Sequence, residues 1–218
     1  MAHLQDKEQE DSTSIAWNPA LDQLLANWCD QAKCFEWMHN ESYTLYETRS
    51  KQFIISITCL TAVSGVSNVI AGGYTLNGFQ LAWVFGGVSI LVSTLNILQD
   101  KLGFSQQSIL HKKMASSWAI LTSKIEEMII LPYGNRQDCK TFLKYIKADI
   151  NQYKLEGHSL IPISIRTACF EKFKTIPQFD IPDICGHMEH TARFIGPAAT
   201  TALLSDYTDK IESVSIHS

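Results

Sequence analysis

Charged residues are missing from the stretch between residues 52 and 99, which contains no Asp, Glu, Lys, Arg or His. A helix needs about 20 largely apolar residues to cross a bilayer. The uncharged stretch holds two candidate spans, residues 53–75 and 79–98, and the Asn77-Gly78 pair between them favours a turn. A soluble domain of this size seldom buries two such helices, so the absence of charge favours a membrane hairpin over a buried one.

Signals of several other protein classes are also missing. With 18 basic and 22 acidic residues, the chain offers no basic surface for nucleic acid. No phosphate-binding glycine loop, G-x-S-x-G, H-E-x-x-H or C-x-x-C motif occurs, and we expect neither an enzyme nor a cofactor. The six cysteines are therefore expected to be free thiols in a reducing compartment.

The charges that flank the two spans predict the topology. Residues 1–14 are acidic and polar, unlike a cationic leader, so the first span is expected to direct insertion itself. Arg49 and Lys51 precede this span and Lys101 follows the second, whereas the connection between the spans has no Lys or Arg. The positive-inside rule then places both termini in the cytosol. The sequence predicts a multi-pass integral membrane protein.

Helical periodicity outside the spans predicts an all-α fold in which a two-helix transmembrane hairpin extends into a cytosolic helical bundle. No proline or glycine interrupts the first helix before the membrane, so it should continue into the first span as one rod. Gly103 is a predicted kink after the second span. The predicted regions are an acidic tail (1–18), a cytosolic helix (19–51), the hairpin (52–99), a cytosolic helical region (100–196) and a loose tail (197–218).

Small and polar residues recur at three-to-four spacing in both spans, so they form a stripe on one face of each helix. Lipid tails offer no partner to a hydroxyl or an amide, and both stripes should turn away from lipid. Two uses remain open: close packing between helices, or the wall of a water-filled pore. The candidate residues are Thr58, Thr61, Ser64, Gly65, Asn68 and Gly72 in the first span and Gly86, Ser89, Ser93 and Asn96 in the second.

Either use of the stripes requires other copies of the chain, because one hairpin cannot easily satisfy two stripes and also enclose a pore. We expect a homo-oligomer of four or more copies, in which one stripe packs against a helix and the other faces the axis. Asp100 directly follows the second span and would form an acidic ring at the cytosolic mouth, which favours cations. Lys101 beside it weakens that expectation.

Histidines at two places in the sequence are candidate functional sites. Cys185, His187 and His190 in the run CGHMEH could supply three zinc ligands. No fourth ligand stands at a usual spacing, so a local helix start with incidental histidines is the preferred interpretation and no metal is expected. His39 lies on an amphipathic helix, where packing of a satisfied imidazole is preferred over catalysis.

Five segments carry a resemblance to a known family: LLANWCDQAKCFEWMHNESYTLYETRSKQF, LTAVSGVSNV, LNILQDKLGF, MIILPYGNRQDCKTFLKYIKADINQY and FEKFKTIPQFDIPDICGHMEH. Together with the two-span layout, they resemble the SMODS-and-SLOG-associating two-transmembrane effector (SLATT) family, in its viral and eukaryotic-type branch. Bacterial members are thought to form membrane pores when a nucleotide-sensing partner is triggered. The matching positions of the first span are Thr61, Ser64, Gly65 and Asn68. No sensor domain is attached here, which leaves the trigger open.

The expected function is a homo-oligomeric pore or ion channel whose cytosolic helices govern assembly and gating. Its expected partners are further copies of the chain, the lipid bilayer, permeating ions and an unknown cytosolic trigger. One alternative is a non-conducting membrane scaffold whose cytosolic helices recruit a partner. A second is a membrane-anchored enzyme that uses Cys185, His187 and His190.

Overall fold

The computed structural model describes residues 16–71, 75–76 and 79–186, and the side chains of 67–71, 75–76 and 79–82 are not among those described. The chain divides into two compact units, Met1–His187 and Met188–Ser218, and every described residue belongs to the first. The predicted loose tail therefore lies outside the described residues. So does the helix predicted from Asp183 towards Gly196, apart from a short turn at its start.

The described chain is all-helical, as predicted, except for two strands of two residues each at the tip of the hairpin. Short 3-10 turns join the later helices. The elements in chain order are α1 (Pro19–Ala71), β1 (Thr75–Leu76), β2 (Phe79–Gln80), α2 (Leu81–Leu102), α3 (Phe104–Ile130), a 3-10 turn (Tyr133–Asn135), α4 (Cys139–Gly157), a 3-10 turn (His158–Leu160), α5 (Ile163–Phe173) and a 3-10 turn (Asp183–Cys185).

Helix α1 is a single uninterrupted helix of 53 residues, which confirms the predicted rod. Asn18 starts it, because its side-chain oxygen accepts a hydrogen bond from the backbone N–H of Leu21 at 3.0 Å. Pro19 occupies the first helical position, where its missing N–H costs nothing. At about 1.5 Å per residue the helix is about 80 Å long. It therefore belongs both to the bundle and to the uncharged hairpin.

The tip of the hairpin differs from the predicted spans at both boundaries. The first span was predicted to reach residue 75, but α1 ends at Ala71, and the second was predicted from residue 79, but α2 begins at Leu81. Strands β1 and β2 pair antiparallel between these ends, with Leu76 opposite Phe79. An Asn-Gly pair is the commonest signal for a two-residue β-hairpin, and it favours extended residues on both sides of it.

The chain returns towards the bundle through a break at Gly103, as predicted. This residue has a φ of 60° and separates α2 from α3, a conformation that glycine adopts without the clash of a side chain. Helix α3 then runs back along α1. The two helices form the spine of the bundle, which α4 and α5 cover.

The core lies along the contact between α1 and α3. The rings of Phe35 and Trp118 stack with centroids 4.6 Å apart, and both side chains are almost fully buried. Each large apolar side chain buried in this way contributes about 1.5–3 kcal/mol. Other members of the core are Leu25, Ala32 and Met38 of α1, Met114, Leu121 and Ile125 of α3, Phe142 and Ile146 of α4, and Ile165 and Cys169 of α5.

Arg136 bonds to both α1 and the end of α3, at the end of the bundle farthest from the hairpin. Its guanidinium donates to the carbonyls of Ile129 and Leu131, each at 2.8 Å, and so satisfies backbone groups that the end of α3 leaves open. It also forms an ion pair with Asp22 of α1. Only 3% of this side chain is exposed. The contact joins the start of α1 to the end of α3.

Candidate functional site: an uncharged helical hairpin

Only two helices form the hairpin, so most of its apolar side chains are uncovered. Trp83 is 73% exposed and Ile90 71% exposed. The side chains of Ile57, Ser64 and Val92 are buried between the two helices. From Phe53 to the end of α1 the hairpin is about 28 Å long, close to the roughly 30 Å thickness of a bilayer's hydrocarbon core.

The hydroxyl groups of the predicted stripes form hydrogen bonds within the hairpin. Thr58, Thr61 and Ser93 each donate to the carbonyl four residues earlier in the same helix, at 2.7, 2.8 and 2.9 Å. The hydroxyls of Ser64 and Ser89 meet across the two helices at 2.8 Å. Hydroxyls bonded in this way place no unsatisfied group towards a medium without water.

Both polar stripes face the same side of the hairpin. Viewed from the tip, α1 approaches the viewer, and at about 100° per residue Thr61 and Gly65 lie about 60° and 100° counter-clockwise from its contact residue Ser64. From the same viewpoint α2 runs away from the viewer, so successive residues of α2 turn clockwise. Ser93 therefore lies about 100° clockwise from Val92, the residue of α2 that contacts α1. On two helices that face each other, these opposite rotations turn both stripes to one side. We call this side, formed by Thr58, Thr61, Gly65, Gly86, Ser93 and Asn96, the polar face.

The opposite side of the hairpin is mostly apolar, with Ser56 as an exposed hydroxyl-bearing residue on it. Val63 and Val66 on α1, and Val84, Leu91 and Leu98 on α2, are all exposed there. Cys59 lies on the same side and is exposed as well, whereas the other five cysteines are buried, and all six are free as predicted. We call this side the apolar face. The hairpin is therefore broadly amphipathic about its long axis, with Ile54, near the base, as an exposed apolar residue on the polar face.

The structure describes most of the predicted site residues. Among the predicted residues whose side chains are described, Ser64 and Ser89 form the hydrogen bond between the two helices. A Cβ added at Gly65 or Gly86 would meet no atom within 4 Å, so neither glycine serves close packing within one chain. Asn96 and Asp100 are exposed, the side chain of Asn68 is not among those described, and Gly72 lies outside the described residues. Both stripes remain largely open on the single chain, and the arrangement in which one stripe packs against a helix and the other faces the axis stays a prediction.

A buried histidine pair lies in the bundle below the hairpin. The Nδ1 atoms of His39 on α1 and His111 on α3 are 2.8 Å apart, and the ring of Tyr46 stacks on His111 with centroids 5.4 Å apart. Burial, with a smaller contribution from the neighbouring His111, lowers the pKa of His39 to about 3. Burial also lowers the pKa of His111. Both rings are therefore neutral at pH 7.

Sequence reasoning singled out His39 and missed its partner. His111 stands three residues before Met114 and seven before Trp118, so it lies on the same helix face as these two apolar residues. A histidine at a core position needs a polar partner, and this spacing was the available signal. Which partner it meets depends on how α3 packs on α1.

The cysteine and histidine run near residue 185 does not form a metal centre within the described residues. Cys185 is buried, with its sulfur 3.7 Å from that of Met38. A hydrogen bond with Cys169, and then burial, raises the pKa of the Cys185 thiol, which keeps it protonated. No group of three or more His, Cys, Asp or Glu side chains in the described part of the chain could hold a metal ion. His187 and His190 lie outside it.

Comparison with known proteins identifies no relative. No protein-family model, curated protein or solved structure matches the chain. Among the described residues, no helix combines the length and the apolar character needed to cross a membrane.

Proposed function

We propose that the chain is a homo-oligomeric membrane pore in which the hairpin lies in lipid and its polar face lines a water-filled path. The observation that carries this proposal is the amphipathic hairpin: an uncharged pair of helices with small and hydroxyl-bearing residues on one side and exposed apolar residues on the other. We also propose membership of the SLATT family, whose resemblance rests on the sequence segments given above.

The apolar side chains of the hairpin support its burial in lipid. Ten large apolar side chains between Ile54 and Leu98 are exposed in the single chain, and removing them from water would contribute on the order of 10 kcal/mol per chain. These side chains are Ile54, Ile55, Val63, Val66, Trp83, Val84, Ile90, Leu91, Ile97 and Leu98. A patch of this size on a monomer marks an interaction surface.

The polar face supports assembly around water. Its hydroxyls bond to their own helix, yet each oxygen keeps a lone pair that can bind water or an ion. A pair of helices presents one such face and cannot enclose a path alone, so we propose a ring of four or more copies. Neighbouring hairpins would pack at the edges of the polar face, where Gly65 and Gly86 permit close approach of the backbones.

Both termini would lie on the side of the bundle, which we place in the cytosol on the basis of Arg49, Lys51 and Lys101. Asp100, exposed at the base of the hairpin, would then stand at the cytosolic mouth. If an acidic ring sets selectivity, Asp100→Asn should shift the reversal potential under a salt gradient towards anions. An unchanged reversal potential would remove Asp100 from the selectivity mechanism and leave the pore itself untouched.

Ion flux through purified protein in liposomes tests the proposal. We expect flux from the parent protein, and Thr61→Leu should reduce it several-fold because it places an apolar side chain on the polar face. Val63→Leu is the matched control, since it enlarges a side chain on the apolar face of the same helix and should keep the parent rate. Both variants are compared at equal oligomer content, measured by chemical crosslinking.

Absence of flux from a well-assembled parent oligomer would contradict a conducting pore that opens without a further factor. It would favour the scaffold, which predicts that the two variants behave alike. Equal loss of flux in both variants would show that the two faces do not differ in function.

A further inference from the structure

Four buried side-chain atoms lack a hydrogen-bond partner within the described residues, and all four belong to one face of α3. They are Gln107 Oε1, His111 Nε2, Trp118 Nε1 and Thr122 Oγ1. Spacings of four, seven and four residues keep them within about 60° of one another around the helix. We call this row of four side chains the seam of α3. Buried polar groups are normally bonded to protein or ordered water, so we expect the seam to bind a ligand.

The membrane-proximal end of the seam is the most sharply defined. His111 is fully buried, its Nδ1 is engaged by His39 at 2.8 Å, and its Nε2 has no partner. Gln107 stands one helical turn earlier, so the two side chains are neighbours on the helix surface. Two unpartnered polar atoms therefore belong to neighbouring side chains on one face of α3.

The chemistry of these two atoms restricts what can bind between them. An amide oxygen only accepts hydrogen bonds, whereas an imidazole nitrogen accepts when it carries no proton. A ligand with two donor hydrogens fits both. A cation would be buried here without a counter-charge. The polar partner of His111 is the neutral His39, and burial is the cause of the lowered pKa of His111, with no charged neighbour contributing. The fitting ligand is therefore neutral and carries two donor hydrogens.

We propose that one water molecule occupies this place and donates one hydrogen to Gln107 Oε1 and the other to His111 Nε2. The site is independent of the pore, since it lies in the bundle and uses none of the hairpin residues. Buried waters of this kind bridge polar groups that the fold leaves unpaired.

The water fixes the direction of the histidine pair. With Nε2 of His111 accepting from water, the ring proton of His111 sits on Nδ1 and is donated to Nδ1 of His39. His39 then carries its own proton on Nε2. That nitrogen points towards Gly157 of α4, where an added Cβ would lie only 3.0 Å away. The result is a directed chain from water to His111 to His39.

Nitrogen-15 NMR of the full chain in detergent micelles tests this site, with histidine labelled and His39→Gln and His111→Gln used for assignment. We expect Nδ1 protonated and Nε2 unprotonated in His111, and the reverse in His39. A cross-peak from long-lived water to a ring proton of His111 should accompany them. A protonated Nε2 on His111, or absence of the water cross-peak, would overturn the proposal.

A pair of neighbouring variants makes the test specific. Gln107→Leu removes one acceptor, so the water cross-peak should disappear. Gln106→Leu changes the exposed neighbour and should leave both the cross-peak and the ring protonation as in the parent. If Gln107→Leu keeps the water cross-peak at parent intensity, Gln107 does not bind the water and the site is not the one proposed.

Discussion

The two halves of α1 contrast sharply although they belong to one helix. Before Lys51, Leu25, Phe35 and Met38 are at most 1% exposed, whereas after it Ile55 and Val63 are 63% and 61% exposed. Composition does not explain the difference, because both halves carry apolar residues. The first half is covered by α3 and flanked by α4 and α5, while the second packs on α2 and touches α3 at its base, where the rings of Phe53 and Phe104 lie 5.6 Å apart. The proposed placement of the hairpin in lipid rests on this lack of a covering layer over its apolar residues.

Two tryptophans provide the largest expected contrast between the regions. Trp118→Ala removes a core ring that stacks on Phe35, and the free energy of unfolding should fall by about 3–5 kcal/mol. Trp83→Ala removes a ring that is 73% exposed, and the change should stay within about 0.5 kcal/mol. Denaturant unfolding of both variants in the same detergent measures the difference. Equal losses would show that the hairpin is as tightly packed as the bundle.

Acid should weaken the bundle through the buried histidine pair. The folded pKa of His39 is about 3 and its unfolded pKa is about 6.5, so the unfolded chain takes up the proton first. The stability from a neutral His39 is fully present above pH 6.5 and is lost as pH falls towards 3. The slope should approach about 1.4 kcal/mol per pH unit.

Unfolding free energies measured between pH 7 and 4 test this expectation, and His39→Gln should flatten the curve. The hairpin offers a built-in contrast, because residues 52–99 contain no group that titrates in this range. A slope that His39→Gln leaves unchanged would assign the acid sensitivity to other groups.

Replacing Arg136 should lower the free energy of unfolding by a smaller but still measurable amount. Arg136→Met removes the hydrogen bonds to the last carbonyls of α3 and the ion pair with Asp22, for an expected loss of about 2 kcal/mol. Asp22 is partly exposed, which limits the cost of leaving its charge unpaired. Lys113→Met, which breaks an exposed ion pair with Glu156, is the control and should change stability by less than about 1 kcal/mol. Thermal unfolding compares the two.

The hydrogen bond between Ser64 and Ser89 should give the smallest effect. A double-mutant cycle with Ser64→Ala and Ser89→Ala should yield a coupling of about 0.6 kcal/mol, the usual size for such bonds between membrane helices. Ser93, which bonds only within its own helix, replaces Ser89 in the control cycle and should show no coupling. A coupling above about 2 kcal/mol would mean that this one bond holds the hairpin together.

Local sequence rules predict the helices well and their partners poorly. The continuity of α1 follows from the lack of proline and early glycine, and the break at Gly103 follows from glycine itself. The strands at the tip were missed because the apolar residues beside Asn77-Gly78 suit a helix as well as a strand. Periodicity predicts that Thr61 and Gly65 share one face of α1 and that Ser93 lies on the polar stripe of α2. That both faces turn to the same side follows only from which residues form the contact, and that is a property of the packed pair.

The site in the bundle shows the same limit. His39 could be noticed from its neighbours, but its partner lies 72 positions away in an unremarkable helix. No local pattern connects the two residues, because the packing of α3 on α1 brings them together.

Reaction of single cysteines with a water-soluble maleimide, on protein reconstituted in vesicles, tests the central claim most directly. Cys59 is the exposed cysteine of the six and lies on the apolar face, while Thr61→Cys in a Cys59→Ala background places a thiol on the polar face. The account predicts that the cysteine at position 61 reacts and that Cys59 does not. Reaction of both would place the hairpin in water, and reaction of neither would mean that no water-filled path follows the polar face.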